Sequence, residues 1–174
     1  MLSGLWLTHG KCLCPRGFSW FFQKNKYSDM TQQQVNLVQQ SWGQVLPVAK
    51  QAGLLFYSKL FEAAPGVRHL FKPDISEQAN KLVTILGYVV SKLNRMEELL
   101  PEVQKLGARH NSYGAEAAHY EVVGQCLIAT LQEGLGDAWT PEVQNAWITA
   151  YNTLKNVMIV AQEEDNHKQV KLSA

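Results

Sequence analysis

Two polar side chains fall where the surrounding pattern calls for apolar ones. Gln78 lies one turn before Leu82 on the apolar face of its stretch, and His110 stands near the end of a short helical run between Leu106 and Tyr113. A neutral imidazole can ligate a metal through one ring nitrogen while the other donates a hydrogen bond. A carboxamide can donate and accept. By residue type alone each also has a plainer reading: Gln78 as a boundary residue with its amide in water, His110 as a satisfied surface or core histidine. Cys12, Cys14 and Cys126 are an odd count with one member far from the other two, a poor disulfide framework that fits a reducing compartment. No CxxC, CxxCH or HExxH motif occurs. The GxG of Gly134 and Gly136 has no strand-like run before it and no third glycine after it, so a dinucleotide site has no support.

The elements that must position these groups read as helices almost throughout. Thr31 with Gln34 forms a capping box, after which Val35, Val38, Trp42 and Val45 recur at steps of three and four. Pro47 ends or bends that helix. Val48, Ala52, Phe56, Leu60 and Ala63 make a second stripe that stops before Pro65. After a short segment from Gly66 to Phe71, Asp74 with Glu77 reads as a second capping box for a helix burying Ala79, Leu82, Leu86, Val89 and Leu93. A shorter helix is predicted from Pro101 to about His110, closing near Gly114, and another from about Ala117 to Glu133, burying Tyr120, Val123, Leu127 and Leu131 before Gly134 and Gly136 stop it. Thr140 caps a last helix with Pro141 at its first position and a stripe of Val143, Trp147, Tyr151, Leu154, Met158 and Ala161. No segment reads as a strand, so the fold class is all-α with six to eight helices.

Composition narrows the function classes. The chain of 174 residues has 46% apolar and 18% charged residues and a formal charge of +1, which excludes an intrinsically disordered chain and gives no uniformly basic surface for nucleic acid. No apolar run approaches the ~20 residues of a membrane span, which predicts a soluble, cytoplasmic body. Residues 1–30 differ from the rest, with four basic residues against one acid, Asp29, and with Trp6, Phe18, Trp20, Phe21, Phe22 and Tyr27. This head lacks the apolar core of a signal peptide. Three readings stay open for it: translation begins at Met30, the head is a disordered extension, or it is a membrane-surface anchor with Cys12 and Cys14 as acylation candidates. The expected organisation is therefore an N-terminal extension over 1–30, a helical domain over 31–164 and a C-terminal tail over 165–174.

The order of features is specific. Trp42 in the first helix, Phe56-Tyr57 with Leu60-Phe61 in the second, Pro65 six residues before Phe71, Gln78 four before Leu82, and Arg109-His110 before Tyr113-Gly114 together resemble the globin family from 31 to about 162. The stretch from Leu106 through His119-Tyr120 to Val123-Gly124 is similar to bacterial single-domain haemoglobins, including a methanotroph high-affinity globin, and to the globin domain of flavohaemoglobins. The resemblance implies a globin fold around a non-covalent haem b, with His110 as the proximal iron ligand and Phe71 as the aromatic that wedges against the haem. It places Tyr57, Gln78 and Leu82 at the distal positions, where the bacterial branch carries tyrosine and glutamine rather than histidine. It matches Tyr120 and Tyr151 to tyrosines that support the proximal histidine, while Gln162 stands at the position aligned with a supporting glutamate. Leu106, Tyr113 and Val123 are carried over as haem contacts. Lys81 and Arg109 are candidates for the haem propionates, with solvated surface charge as the plainer reading.

What the resemblance implies about activity is reversible binding of dioxygen or another diatomic gas, tight because Tyr57 and Gln78 are both donors. One alternative is nitric oxide dioxygenation with electrons from a separate reductase, since no flavin or nicotinamide domain is expected after Ala174. The other is a haem-free regulatory module that has kept the fold. A monomer or weak dimer is expected, with membrane contact only through the N-terminal head.

Overall fold

The computed structural model describes residues 30–172. The readings of residues 1–29, including Cys12 and Cys14, lie outside the described residues. Six α-helices account for nearly all of the described chain: α1 Gln32–Val45, α2 Ala49–Ala63, α3 Ser76–Lys92, α4 Met96–Ser112, α5 Ala117–Leu135 and α6 Pro141–Leu172, with no strand among the described residues.

The start of α1 is the reciprocal box read from the sequence. Thr31 Oγ1 accepts from Gln34 N–H at 3.2 Å and Gln34 Oε1 accepts from Thr31 N–H at 2.9 Å. Pro47 follows in a short 3-10 turn, Leu46–Val48, before α2 begins. At the start of α6, Thr140 Oγ1 accepts from Val143 N–H at 3.3 Å with Pro141 at the first helical position. Gly136 ends α5 with φ of 51°, a backbone region that favours glycine.

Three elements differ from the sequence reading. Asp74 and Glu77 do not form a capping box: α3 starts at Ser76 with Ile75 as its N-cap, and Asp74 Oδ1 accepts from Ser76 N–H at 2.9 Å in a local turn. Glu77, free of that role, pairs with Lys81 one turn on at 2.6 Å. The proline at 101 does not begin its helix. Met96 and Leu99 are buried, and their packing draws the preceding turn into α4, leaving Pro101 inside the helix without the N–H that would bond the carbonyl four residues back. Finally α6 continues to Leu172, through residues expected to form a tail.

The core forms where all the helical stripes meet. Val38, Val45, Leu99, Leu131 and Val157 are its most completely buried large side chains. Trp147 of α6 packs on Trp42 of α1 with ring centroids 6.1 Å apart, and its indole N–H donates to Ser41 Oγ at 2.9 Å. Two glycines set the helix crossings next to the site. A Cβ on Gly53 would lie 2.9 Å from the Ala79 carbonyl oxygen, so α2 and α3 touch backbone to backbone there. A Cβ on Gly107 would lie 2.6 Å from the Met158 carbonyl oxygen, which brings α4 equally close onto α6.

Candidate functional site

A cavity of about 270 Å³ opens between α2, α3, α4, α5 and α6. Its wall is mostly apolar, and the chemically active side chains on it are few.

His110 enters from the last turn of α4. Its Nδ1 lies 2.9 Å from the Leu106 carbonyl oxygen. A carbonyl only accepts, so Nδ1 carries the proton and Nε2 keeps its lone pair. Burial holds the imidazole below its usual 6.5, and nearby Arg109 adds to that, while the bond to Leu106 acts the other way. The side chain is therefore a neutral, oriented nitrogen donor at neutral pH.

On α2, Tyr57 is buried and framed by aromatics: Phe56 at 5.0 Å, Phe61 at 5.8 Å and Phe71 at 5.4 Å between ring centroids. Burial pushes its phenol above 10, and the side chain of Gln78 at its hydroxyl offsets part of that rise. Gln78, from the first turn of α3, is half-buried on the same wall, so its amide sits beside Tyr57 and not in open water. Leu82 lies one turn further along α3 and Phe71 at the corner before it, both lining the cavity.

Below His110, Tyr120 of α5 lies with its ring 6.3 Å from the imidazole. Its hydroxyl is buried and has no hydrogen-bond partner, and burial raises its pKa to about 12. Tyr151 of α6 donates its hydroxyl to the Tyr120 carbonyl at 2.5 Å, and its ring fills the notch left by Gly124, where a Cβ would meet Tyr151 Cε1 at 2.5 Å. Gln162 is buried but turned elsewhere, donating through Nε2 to the Ala115 carbonyl at 3.2 Å.

Of the residues singled out from the sequence, Tyr57, Phe71, Gln78, Lys81, Leu82, Leu106, His110, Tyr120, Val123 and Tyr151 share this one wall. Arg109 and Tyr113 do not. Arg109 is exposed beyond His110, and Tyr113 is 63% exposed in the turn that ends α4, its ring 6.2 Å from the imidazole. Lys81 reaches the rim but is paired with Glu77. Two polar residues on the wall were not singled out. His119 accepts from Glu116 N–H at 3.0 Å as part of a box that starts α5, and Lys155 pairs with Glu121 at 2.6 Å. The Glu116-x-x-His119 spacing is a visible cap signal, whereas only the packing of α6 on α5 carries Lys155 to the cavity.

Residues 54–158 match the Globin family model. The chain belongs to the globin family. Its relatives include the anaerobic nitrite reductase HBII of Casuarina glauca, 32% identical over 139 residues that make up 71% of this chain and 87% of the relative. The flavohemoprotein of Bacillus subtilis is 26% identical over 136 residues, 74% of this chain, and the globin spans only 34% of that relative's length. Among solved structures, a bacterial globin from Campylobacter jejuni superposes with a TM-score of 0.68 at 20% identity, covering 77% of this chain and 97% of that one, which shows a shared fold.

Membership implies haem, and the cavity of this globin fits it. One neutral imidazole with a free nitrogen, set in an apolar slot that also presents a phenol and an amide, suits a flat apolar group that brings its own metal and equatorial ligands. Among the described residues no helix is long and apolar enough to cross a membrane.

Proposed function

We propose that this globin holds haem b through His110 Nε2 and binds dioxygen reversibly and tightly between Tyr57 and Gln78. The observation that carries the reading is the single wall that brings a tautomer-fixed neutral histidine together with two hydrogen-bond donors. Haem, when bound, supplies an iron with an open position for a diatomic gas. The Leu106 carbonyl orients the imidazole and keeps Nε2 unprotonated. Tyr57 offers an O–H and Gln78 an N–H, and such donors favour a gas that takes up negative charge over one that stays neutral. Phe71 and Leu82 close the wall and exclude water. Tyr120, with its unpaired buried hydroxyl, backs the proximal imidazole, and Tyr151 holds the Tyr120 backbone in place. Lys81, on the cavity wall and paired with Glu77, would be the cation available to a haem propionate.

The test is the absorption spectrum of the protein expressed with haem available, recorded oxidised, reduced with dithionite, and then in air. A five-coordinate reduced spectrum that converts to a stable oxygenated form and disappears in His110→Ala supports the proposal. A folded helical protein without a Soret band refutes it in favour of a haem-free regulatory module.

The flavohemoprotein relative supports a second reading, nitric oxide dioxygenation with electrons from a separate reductase. Nitric oxide consumption in air, measured with NADH and a generic reductase, tests it. No consumption above the reductase blank would leave gas binding alone. Nitrite should be assayed alongside, because the plant relative is named for its reduction.

A further inference from the structure

The segment 71–75 between the 3-10 turn Pro65–Leu70 and α3 is irregular and has no repeating backbone ladder, yet it carries Phe71 onto the cavity and sets where α3 begins. A single side chain takes up the first three of its carbonyls. Arg68 Nη1 donates to the Phe71 oxygen at 3.1 Å and to the Lys72 oxygen at 2.9 Å, and Nη2 donates to the Pro73 oxygen at 2.9 Å. The Phe71 N–H donates back to the Arg68 carbonyl at 3.2 Å, so the backbone of Phe71 is tied to residue 68 on both sides. The same guanidinium lies over the Phe61 ring, 4.7 Å from its centroid. The planar fork of an arginine reaches several acceptors at once, which the point charge of a lysine does not.

The consequences run toward the two distal donors. Phe61 and Phe71 pack edge to face with centroids 5.4 Å apart, and both flank the Tyr57 ring. Gln78 is the third residue of α3, just beyond the segment that Arg68 holds. We propose that Arg68 is a positioning residue of the distal pocket: by gathering the carbonyls of 71–73 and stacking on Phe61, it fixes the ring of Tyr57 and the start of the helix that carries Gln78. The inference rests on the haem-globin reading for its effect on gas binding, while the hold on the corner stands apart from that reading.

The experiment uses the full chain expressed with haem available, as wild type, Arg68→Met, Arg68→Lys, Tyr57→Phe and the double variant Tyr57→Phe with Arg68→Met. Amide hydrogen exchange at Phe71 and Ser76 is read against the amides of α5 and α6, and the oxygen dissociation rate is read by stopped flow. Arg68→Met is expected to speed exchange at the corner about tenfold or more with α5 and α6 unchanged, since opening no longer breaks charge-assisted hydrogen bonds. It should also speed oxygen release severalfold when Tyr57 is present and by a clearly smaller factor in the Tyr57→Phe background, where only Gln78 is left to be positioned. Arg68→Lys should fall between wild type and Arg68→Met in both readouts, a partial rescue by charge without the fork.

Unchanged corner exchange, or exchange raised equally throughout the molecule, would overturn the proposal. So would an oxygen-release effect of the same size with and without the Tyr57 hydroxyl. If the wild type takes up no haem, the haem reading fails, and exchange at Phe71 and Ser76 in the chain as purified still decides whether Arg68 holds the corner.

Discussion

Tyr57 has a phenol held neutral by burial in a frame of three aromatic rings, with Gln78 at its hydroxyl. A hydrogen bond to a charged acceptor is worth about 1.5–3 kcal/mol. At ~1.4 kcal/mol per decade, Tyr57→Phe should therefore speed oxygen release roughly ten- to a hundredfold, with a smaller effect on carbon monoxide, both measured by ligand displacement. An unchanged oxygen rate would move the main donor role to Gln78. Tyr120 makes a different prediction. Its hydroxyl is buried without a partner, so Tyr120→Phe removes a desolvated polar group and keeps the ring. Thermal unfolding of the chain without haem should show no loss of stability, in contrast to the destabilisation usual for a core substitution. If the hydroxyl also supports His110, the same variant will shift the reduced spectrum of the haem-loaded protein.

Between elements, the site depends on close approaches that only glycine permits. Gly107 lies one turn before His110 and lets α4 rest on the backbone of α6 at Met158. A methyl group there has backbone in front of it, which cannot rotate away. Gly107→Ala should cost about 1–3 kcal/mol, measured by denaturant unfolding, and should loosen haem retention by displacing His110. An alanine variant with wild-type stability would mean that α4 can slide along α6 without penalty. The link between α1 and α6 is polar as well as apolar: Ser41→Ala would leave the buried Trp147 N–H without its acceptor, at a cost of about 1–3 kcal/mol in the same assay. A value near zero would show that the indole finds another partner.

For the whole molecule, the burial of Tyr57, Tyr120 and Tyr151 sets an alkaline limit. Each phenol is raised above 10 in the folded chain, Tyr120 to about 12. Between the unfolded and folded values the native state binds more protons, so stability falls as pH rises. Stability should hold below pH 10 and decline above it, and Tyr120→Phe should make the decline shallower in denaturant titrations across that range. An identical slope in the variant would mean that Tyr120 ionises in the folded chain near 10.

The helical class, the Thr31 and Thr140 caps, the Gly136 stop and the stripes of α1, α5 and α6 were legible from the sequence, because each depends on residues within one or two turns of one another. The α2 stripe held only at its centre: Phe56 and Leu60 are buried, while Val48 lies exposed in the 3-10 turn before the helix and Ala63 is exposed at its end. The order of features along the chain pointed to Tyr57, Gln78 and His110, and all three line the cavity. Where the sequence misled, a competing contact outweighed the expected local signal. Pro101 reads as a helix start, yet buried Met96 and Leu99 carry α4 past it, and Asp74 reads as a cap, yet its carboxylate takes the nearer Ser76 amide. That Arg109 and Tyr113 stand outside the cavity while Lys155 reaches it depends on helix rotation, which a periodic pattern leaves loose by a residue or so. The single wall joining Tyr57, Gln78 and His110, and the guanidinium of Arg68 across three carbonyls, exist only once the helices cross. Local chemistry therefore chose the helices and their active residues, and the tertiary structure chose which of those residues meet, since helix crossings at Gly53 and Gly107 are contacts between segments far apart in the chain.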